Sequence, residues 1–251
     1  MKKISIMQPT FFPWLGYFEL INKVDSFVFL DDVEISKQSW QTRNFFLSNE
    51  QHNWISIPIR GSSSNTIIKA EINRHALFLR KLLKFTQQNF KHNDLVGINK
   101  LIHQLLNQQE ELNLADFNIK LIKWFIYLFD IKTTIYRSSQ LFDSVDTVDR
   151  VHMKDEKIID IVQKISGNHY VAAAGSKNYM EKFGLKNYPF KVEFFNYPNA
   201  KRISIFYDGY GFENVLESIN RLGIEKIRKE LFPKSYEHSA QLNNNSLTEF
   251  I

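Results

Sequence analysis

The chain of 251 residues contains no cysteine. That excludes disulfides, zinc–thiolate sites, iron–sulfur clusters and thiol catalysis, and fits a reducing cytoplasm. Glycine is scarce, at 9 residues, and none of the glycine-built phosphate or nucleophile signatures occurs. Without GxGxxG, GxxxxGK or GxSxG, the dinucleotide-binding, P-loop and α/β-hydrolase readings lose their usual support. Long apolar runs are missing as well. Met1-Lys2-Lys3 followed by Ile4 to Met7 has the outline of a signal-peptide start, but the run ends after four residues at Gln8-Pro9 and reads better as a first strand. No transmembrane segment is expected. His75, His92, His103, His152, His169 and His238 show no metal-ligand spacing, so no metal site is assigned and no cofactor is named.

What is present is an ordinary globular composition, 43% hydrophobic and 24% charged, long enough for one large or two small domains. The net charge is +5 and the isoelectric point near 9.1. Basic residues are interleaved with acidic ones, as in Glu225 to Glu230, which is a solvated helix face and not a nucleic-acid stripe. No nucleic-acid partner is expected; a mild positive balance suits an anionic small molecule.

Apolar periodicity alternates between strand and helix. Ile4 to Met7, Ser26 to Leu30, Trp54 to Ile59, Lys132 to Tyr136, His169 to Ala173 and Lys191 to Phe195 read as strands. Leu15 to Lys23, Asp155 to Ile165, Gly175 to Phe183 and Glu213 to Leu222 read as helices, the last closed by Gly223. Between Arg74 and Phe129 the pattern is helical throughout. The expected fold is α/β, a mainly parallel three-layer sheet of Rossmann or nucleotidyltransferase type. Residues 1–73 and 130–236 would form the ligand-binding core, 74–129 a helical insertion or subdomain, and 237–251 a frayed polar tail.

The densest chemistry lies between Ile4 and Asn44. Gln8 and Pro9 break the first strand into the loop Thr10-Phe11-Phe12-Pro13-Trp14-Leu15-Gly16-Tyr17. Two prolines stiffen it, Gly16 would let backbone approach a ligand, and Gln8, Trp14 and Tyr17 offer an amide and stacking surfaces. Packing beneath the sheet is the competing use of the loop's rings. Asp31 and Asp32 end the second strand, where carboxylates hold a cation, bond a ribose or amine, or act as a base. Adjacent side chains point to opposite faces, so at most one is expected to enter a given site. Lys37, Trp40, Arg43 and Asn44 place two cations, an aromatic plate and an amide within eight residues, a set suited to phosphate or carboxylate. Tyr170 to Tyr179 (YVAAAGSKNY) puts Gly175 and Ser176 at a strand-to-helix junction, an amide nest flanked by Tyr170 and Tyr179, or a tight packing turn.

Gln8, Pro9, Pro13, Trp14, Gly16, Tyr17 and Phe18, followed by Asp31-Asp32 and by Lys37, Trp40, Arg43 and Asn44, resemble the opening motifs of the WbqC-like family, a bacterial family associated with O-antigen and other surface-polysaccharide biosynthesis. The resemblance extends more loosely along most of the chain. Ala172 and Ala173 stand where that family tends to Ser-Gly, which removes a hydroxyl from the segment. The resemblance implies a pathway context more than a reaction. The leading reading is an enzyme that binds a nucleotide-activated amino sugar and transfers an acyl or aminoacyl group to it. Asp31, Asp32 and Lys37 would be its reactive groups. A non-catalytic binder of glycan precursors is the second reading. A nucleotidyltransferase using ATP or CTP with magnesium is the third, and the turn Trp14-Leu15-Gly16-Tyr17 lacks the histidines that such enzymes use. Oligomeric state is not legible.

Overall fold

The computed structural model describes residues 1–35, 38–48, 50–60, 66–107, 112–142 and 154–233. In chain order its principal elements begin with β1 (Lys3–Met7), α1 (Leu15–Lys23) and β2 (Ser26–Phe29). Two antiparallel pairs follow, β3 (Arg43–Ser48) with β4 (Gln51–Ser56), and β5 (Ile59–Arg60) with β6 (Glu71–Ile72). Then come three helices, α2 (His75–Asn89), α3 (Val96–Asn107) and α4 (Leu114–Leu128). The chain returns to the sheet as β7 (Thr134–Arg137), α5 (Lys154–Lys164), β8 (His169–Ala173), α6 (Lys177–Phe183) and β9 (Lys191–Phe195). It closes with α7 (Pro198–Ile203), the small pair β10 (Phe206–Tyr207) and β11 (Gly211–Phe212), α8 (Val215–Leu222) and α9 (Ile224–Leu231).

Five strands form one all-parallel sheet in the order β7-β2-β1-β8-β9. Parallel sheets survive with both faces covered, and the strand residues show why this one does. Phe27 and Phe29 enter the larger apolar cluster with α1, α4, α8 and α9, whereas Val28 between them enters the smaller cluster with α5 and α6. The same division sends Val171 one way and Tyr170 and Ala172 the other. Helices on both faces give the Rossmann-like three-layer α/β fold. The larger cluster includes residues of α2, α3 and α4 together with strand residues of the sheet, so residues 74–129 share the core of the rest.

Two departures from the sequence pattern, and one expectation that holds, have physical causes. Pro58 stops the expected strand over Trp54 to Ile59, leaving β4 before it and β5 after it. The run from Arg43 (RNFFLS) is strand β3 because Phe46 is buried in the core and Phe45 beneath aromatic neighbours, a two-sided pattern with no clear alternation. Gly223 closes α8 with φ of 73°, a left-handed conformation that suits glycine. Residues 237–251, expected to fray, and residues 61–65 lie outside the described residues. Among the described residues no helix is long and apolar enough to cross a membrane.

Candidate functional site at the carboxyl edge of the sheet

In this strand order the chain runs outward from β1 through β2 to β7, then returns to the other side of β1 as β8 and β9. The reversal lies between β1 and β8, the crevice position where open α/β sheets take ligands beyond the strands' carboxyl ends. Five predicted positions reach that edge: Gln8 after β1, Asp31 and Asp32 after β2, and Gly175 and Ser176 after β8.

The two aspartates are held quite differently. Asp31 has no exposed surface. Its carboxylate accepts hydrogen bonds from Arg137 Nε at 2.7 Å, Ser139 N at 3.0 Å and Ser139 Oγ at 2.9 Å, and its backbone N–H donates to Ser138 Oγ at 3.1 Å. Buried and with both oxygens engaged, it is committed to the fold. Arg137 also reaches Asp116 Oδ1 at 2.6 Å, on the first turn of α4. Burial opposes the charge on this guanidinium, but the carboxylates of Asp116 and Asp31 outweigh it and its pKa is raised. Asp32 keeps a partly exposed side chain, 14%, and pairs with Lys157 Nζ at 2.8 Å on α5, with Ser138 Oγ as a second donor. Lys157 is itself almost fully buried, 6% exposed. An ammonium withdrawn from water and matched to one carboxylate is a local charge pair at the sheet edge, close to the amino end of α5. Neither Arg137 nor Lys157 was singled out in the sequence. They lie 106 and 125 residues from the aspartates they serve.

Gln8 is half-buried. Its side-chain oxygen accepts from Gln41 Nε2, and its backbone oxygen accepts from the Tyr17 hydroxyl at 3.0 Å. Asn118 of α4 donates to Pro9 O at 3.1 Å and Gln41 O at 2.9 Å, while its own side-chain oxygen is buried without a partner. Gly175 is exposed, and a methyl added there would meet nothing within 4 Å, so the space beside it is open. Ser176 Oγ donates to Ala173 O at 2.7 Å and closes the turn. Tyr170 is buried among apolar residues, which raises its phenol pKa well above the ordinary value. Tyr179 is 43% exposed on α6.

Several motif residues are occupied in packing. Phe11 and Phe12 are fully buried, and the φ of 45° at Phe12 is a left-handed conformation for a bulky residue. Asn44 holds that turn by donating to Phe11 O at 2.9 Å and Phe12 O at 2.8 Å. Tyr17 is 2% exposed, its phenol pKa raised by burial and by nearby Tyr197. Trp14 stacks on Phe212 at 4.4 Å and 13°. Gly16 is small because a Cβ there would lie 2.1 Å from the Trp14 ring; it makes room for an indole and not for a ligand backbone.

Trp40 and Arg43 belong to a different surface. Residues facing outward across the β3–β4 hairpin pair as Arg43 with Ser56, Phe45 with Trp54, and Leu47 with His52. Trp40 packs against Trp54 at 5.9 Å, and the Arg43 guanidinium lies 4.3 Å from the Trp54 ring centre while its Nε donates to Gln38 O at 3.1 Å. Lys37 lies outside the described residues.

No solved structure matches the chain. An uncharacterized protein of Mycobacterium tuberculosis, Rv1507c, is 25% identical over 183 residues, 71% of this chain and 75% of that protein. The model of the WbqC-like protein family matches residues 8–218, from Gln8 just after β1, through β2, β7, β8 and β9, to Ser218 on α8. The chain belongs to the WbqC-like protein family.

Proposed function

We propose that the chain is a cytoplasmic enzyme of bacterial surface-glycan assembly that binds a nucleotide-activated amino sugar at the carboxyl edge of the sheet and transfers an acyl or aminoacyl group to the sugar amine. Residues 1–73 and 130–236 serve as the ligand-binding core and 74–129 as its helical insertion. The observation that carries the reading is the unequal setting of the two aspartates: Asp31 is closed in by Arg137 and two serines, and Asp32 is left at the edge with Lys157.

In this reading Asp32 orients the sugar amine and receives its proton as the amine nitrogen bonds to the acyl carbon and the bond from that carbon to its activating carrier breaks, the carrier leaving with the electron pair; a carboxylate within hydrogen-bond reach of the nucleophile is the geometry that general-base catalysis requires. Lys157 balances the carboxylate in the ground state and becomes available to an anionic group when the proton moves. Gln8, across the strand gap from Asp32, lends an amide to orient the substrate. Gly175 and Ser176 flank the open space at the end of β8, where phosphate oxygens meet backbone amides. Trp14, Tyr17 and Asn44 support the loop that carries Gln8.

The test is mass spectrometry of purified protein incubated with a panel of UDP-, dTDP- and GDP-linked amino sugars and acyl or aminoacyl donors. A mass gain on one sugar, abolished by Asp32→Asn, is expected. No mass gain with any pairing, or an undiminished gain in Asp32→Asn, would overturn the reading.

A further inference from the structure

The outer face of the β3–β4 hairpin and the segment just before it carry two exposed tryptophans packed against each other. Trp40 is 46% exposed and Trp54 is 42% exposed. The β10–β11 pair extends the surface. Tyr210 stacks on His52 at 4.2 Å and 17°, Tyr207 meets His52 edge-on at 4.6 Å, and Tyr210 approaches Trp54 at 6.2 Å with a 31° tilt. Phe45 is buried beneath, touching Trp40, Trp54 and both tyrosines.

The support is rigid. Glu217 accepts from Leu47 N, Asn214 Nδ2 donates to Phe45 O at 2.9 Å, and Phe11 N donates to Trp40 O at 2.8 Å, so the hairpin is fixed to α8 and to the loop after β1. Rings held this way lose little entropy when a ligand covers them. Exposed tryptophans on a braced surface are costly to leave in water, which marks the patch as a contact surface.

The chemistry of the patch selects among partners. Flat indole and phenol faces dominate it, and Leu47 is the one aliphatic side chain among the six paired outward positions of the hairpin. Its polar rim offers both signs: Arg43 on the Trp54 ring, and Asp208, exposed in the turn between Tyr207 and Tyr210. A pyranose ring matches that combination. Its axial C–H groups form an apolar plate that lies on aromatic faces, and its hydroxyls both donate and accept at the edge. A nucleoside diphosphate fits less well, because a carboxylate in the rim repels phosphate and Arg43 is the one full charge among those outward positions.

We infer that the outer face of the β3–β4 hairpin, with Trp40, Trp54, Arg43, Tyr207, Tyr210 and Asp208, is a carbohydrate-binding platform that takes the pyranose rings of a glycan chain. It is built from residues other than those assigned to the sheet edge and stands independently of the reaction proposed there. In an enzyme acting on a sugar precursor, such a platform would seat the glycan end of the substrate or acceptor.

The experiment is binding of the full-length protein to an array of immobilised bacterial oligosaccharides, with tryptophan fluorescence titration of the soluble form of any that bind. Trp40→Ala and Trp54→Ala are expected to lower affinity at least tenfold, and Asp208→Ala, in an exposed turn, several-fold. Uridine diphosphate should not compete. Asp208→Ala carries the test should a tryptophan variant fail to fold. No retention of any glycan, retention unchanged in the variants, or full competition by uridine diphosphate would overturn the inference. Glycan binding without affinity for nucleotide sugars would leave the platform standing and count against the sheet-edge proposal, and the reverse pattern would do the opposite.

Discussion

Replacing Arg137 by methionine is the sharpest perturbation of the sheet edge. Arg137 is the charged partner of Asp31, a carboxylate with no exposed surface, and its second bond ties Asp116 on α4 to the end of β7. Methionine preserves much of the apolar stem but strands a buried negative charge, and removing one partner of such a pair costs about 3–5 kcal/mol. Ser139 still donates to Asp31 through both its amide and its hydroxyl, so the lower end of that range is the expectation, with little added from the more exposed Asp116. Against a total stability of about 5–15 kcal/mol this is a large fraction. At about 2–4 °C per kcal/mol for a chain of this size, the melting temperature should fall by roughly 6–12 °C. Adding Asp31→Leu to Arg137→Met should recover part of the loss, because the uncompensated charge is gone and only the serine donors are orphaned. The assay is urea unfolding of the wild type, both single variants and the double variant. A single Arg137→Met variant within 1 kcal/mol of wild type, or a double variant showing simple additivity, would refute the assignment of Asp31 as a charge locked in the fold.

Three further outcomes follow from the packing of the motif loop and of α8. Gly16→Ala places a methyl where the Trp14 ring lies, so the indole must leave its stack on Phe212; a loss of about 2–4 kcal/mol, with altered near-ultraviolet dichroism, is expected by calorimetry. Asn44→Ala orphans the buried carbonyls of Phe11 and Phe12 at a left-handed turn and should cost about 2–3 kcal/mol in chemical unfolding. Glu217 has its carboxyl pKa pushed up from the ordinary 4.5 to about 7, chiefly by burial. Its folded pKa exceeds its unfolded one, so its contribution is fully present below pH 4.5 and is lost as pH rises through 7, on the order of 3 kcal/mol in all. Glu217→Gln removes this titration, and its stability relative to wild type should rise between pH 5 and pH 8; a constant difference across that range would contradict the assignment.

The parallel core was legible because its strands are short apolar runs ending in polar or small residues. Ile4 to Met7, Ser26 to Phe29 and His169 to Ala173 declare themselves in this way, and α1 and α6 follow the first and the third where 3.6-residue periodicity resumes. The β3–β4 hairpin did not, since Arg43 to Ser48 buries Phe46 on one side and covers Phe45 with rings contributed from residue 207 onward, a pairing no local window contains. At the site, the sequence identified the aspartates but not which would be spent on structure. That choice is made by Arg137 and Lys157, whose positions are fixed only once β7 pairs with β2 and α5 packs on the sheet. The same motif that reads as one cluster in sequence is divided by the fold. Gln8, Asp31 and Asp32 go to the sheet edge, Asn44, Gly16 and Tyr17 to the packing of the loop, and Trp40 and Arg43 to the hairpin's outer face.

Calorimetric titration with UDP-, dTDP- and GDP-linked amino sugars, run on the wild type and on Asp32→Asn, probes the sheet-edge site most directly. The account predicts binding of one nucleotide-sugar class by both proteins, with turnover in the wild type alone. Absence of affinity for every member of the panel, or unimpaired turnover by Asp32→Asn, would contradict it.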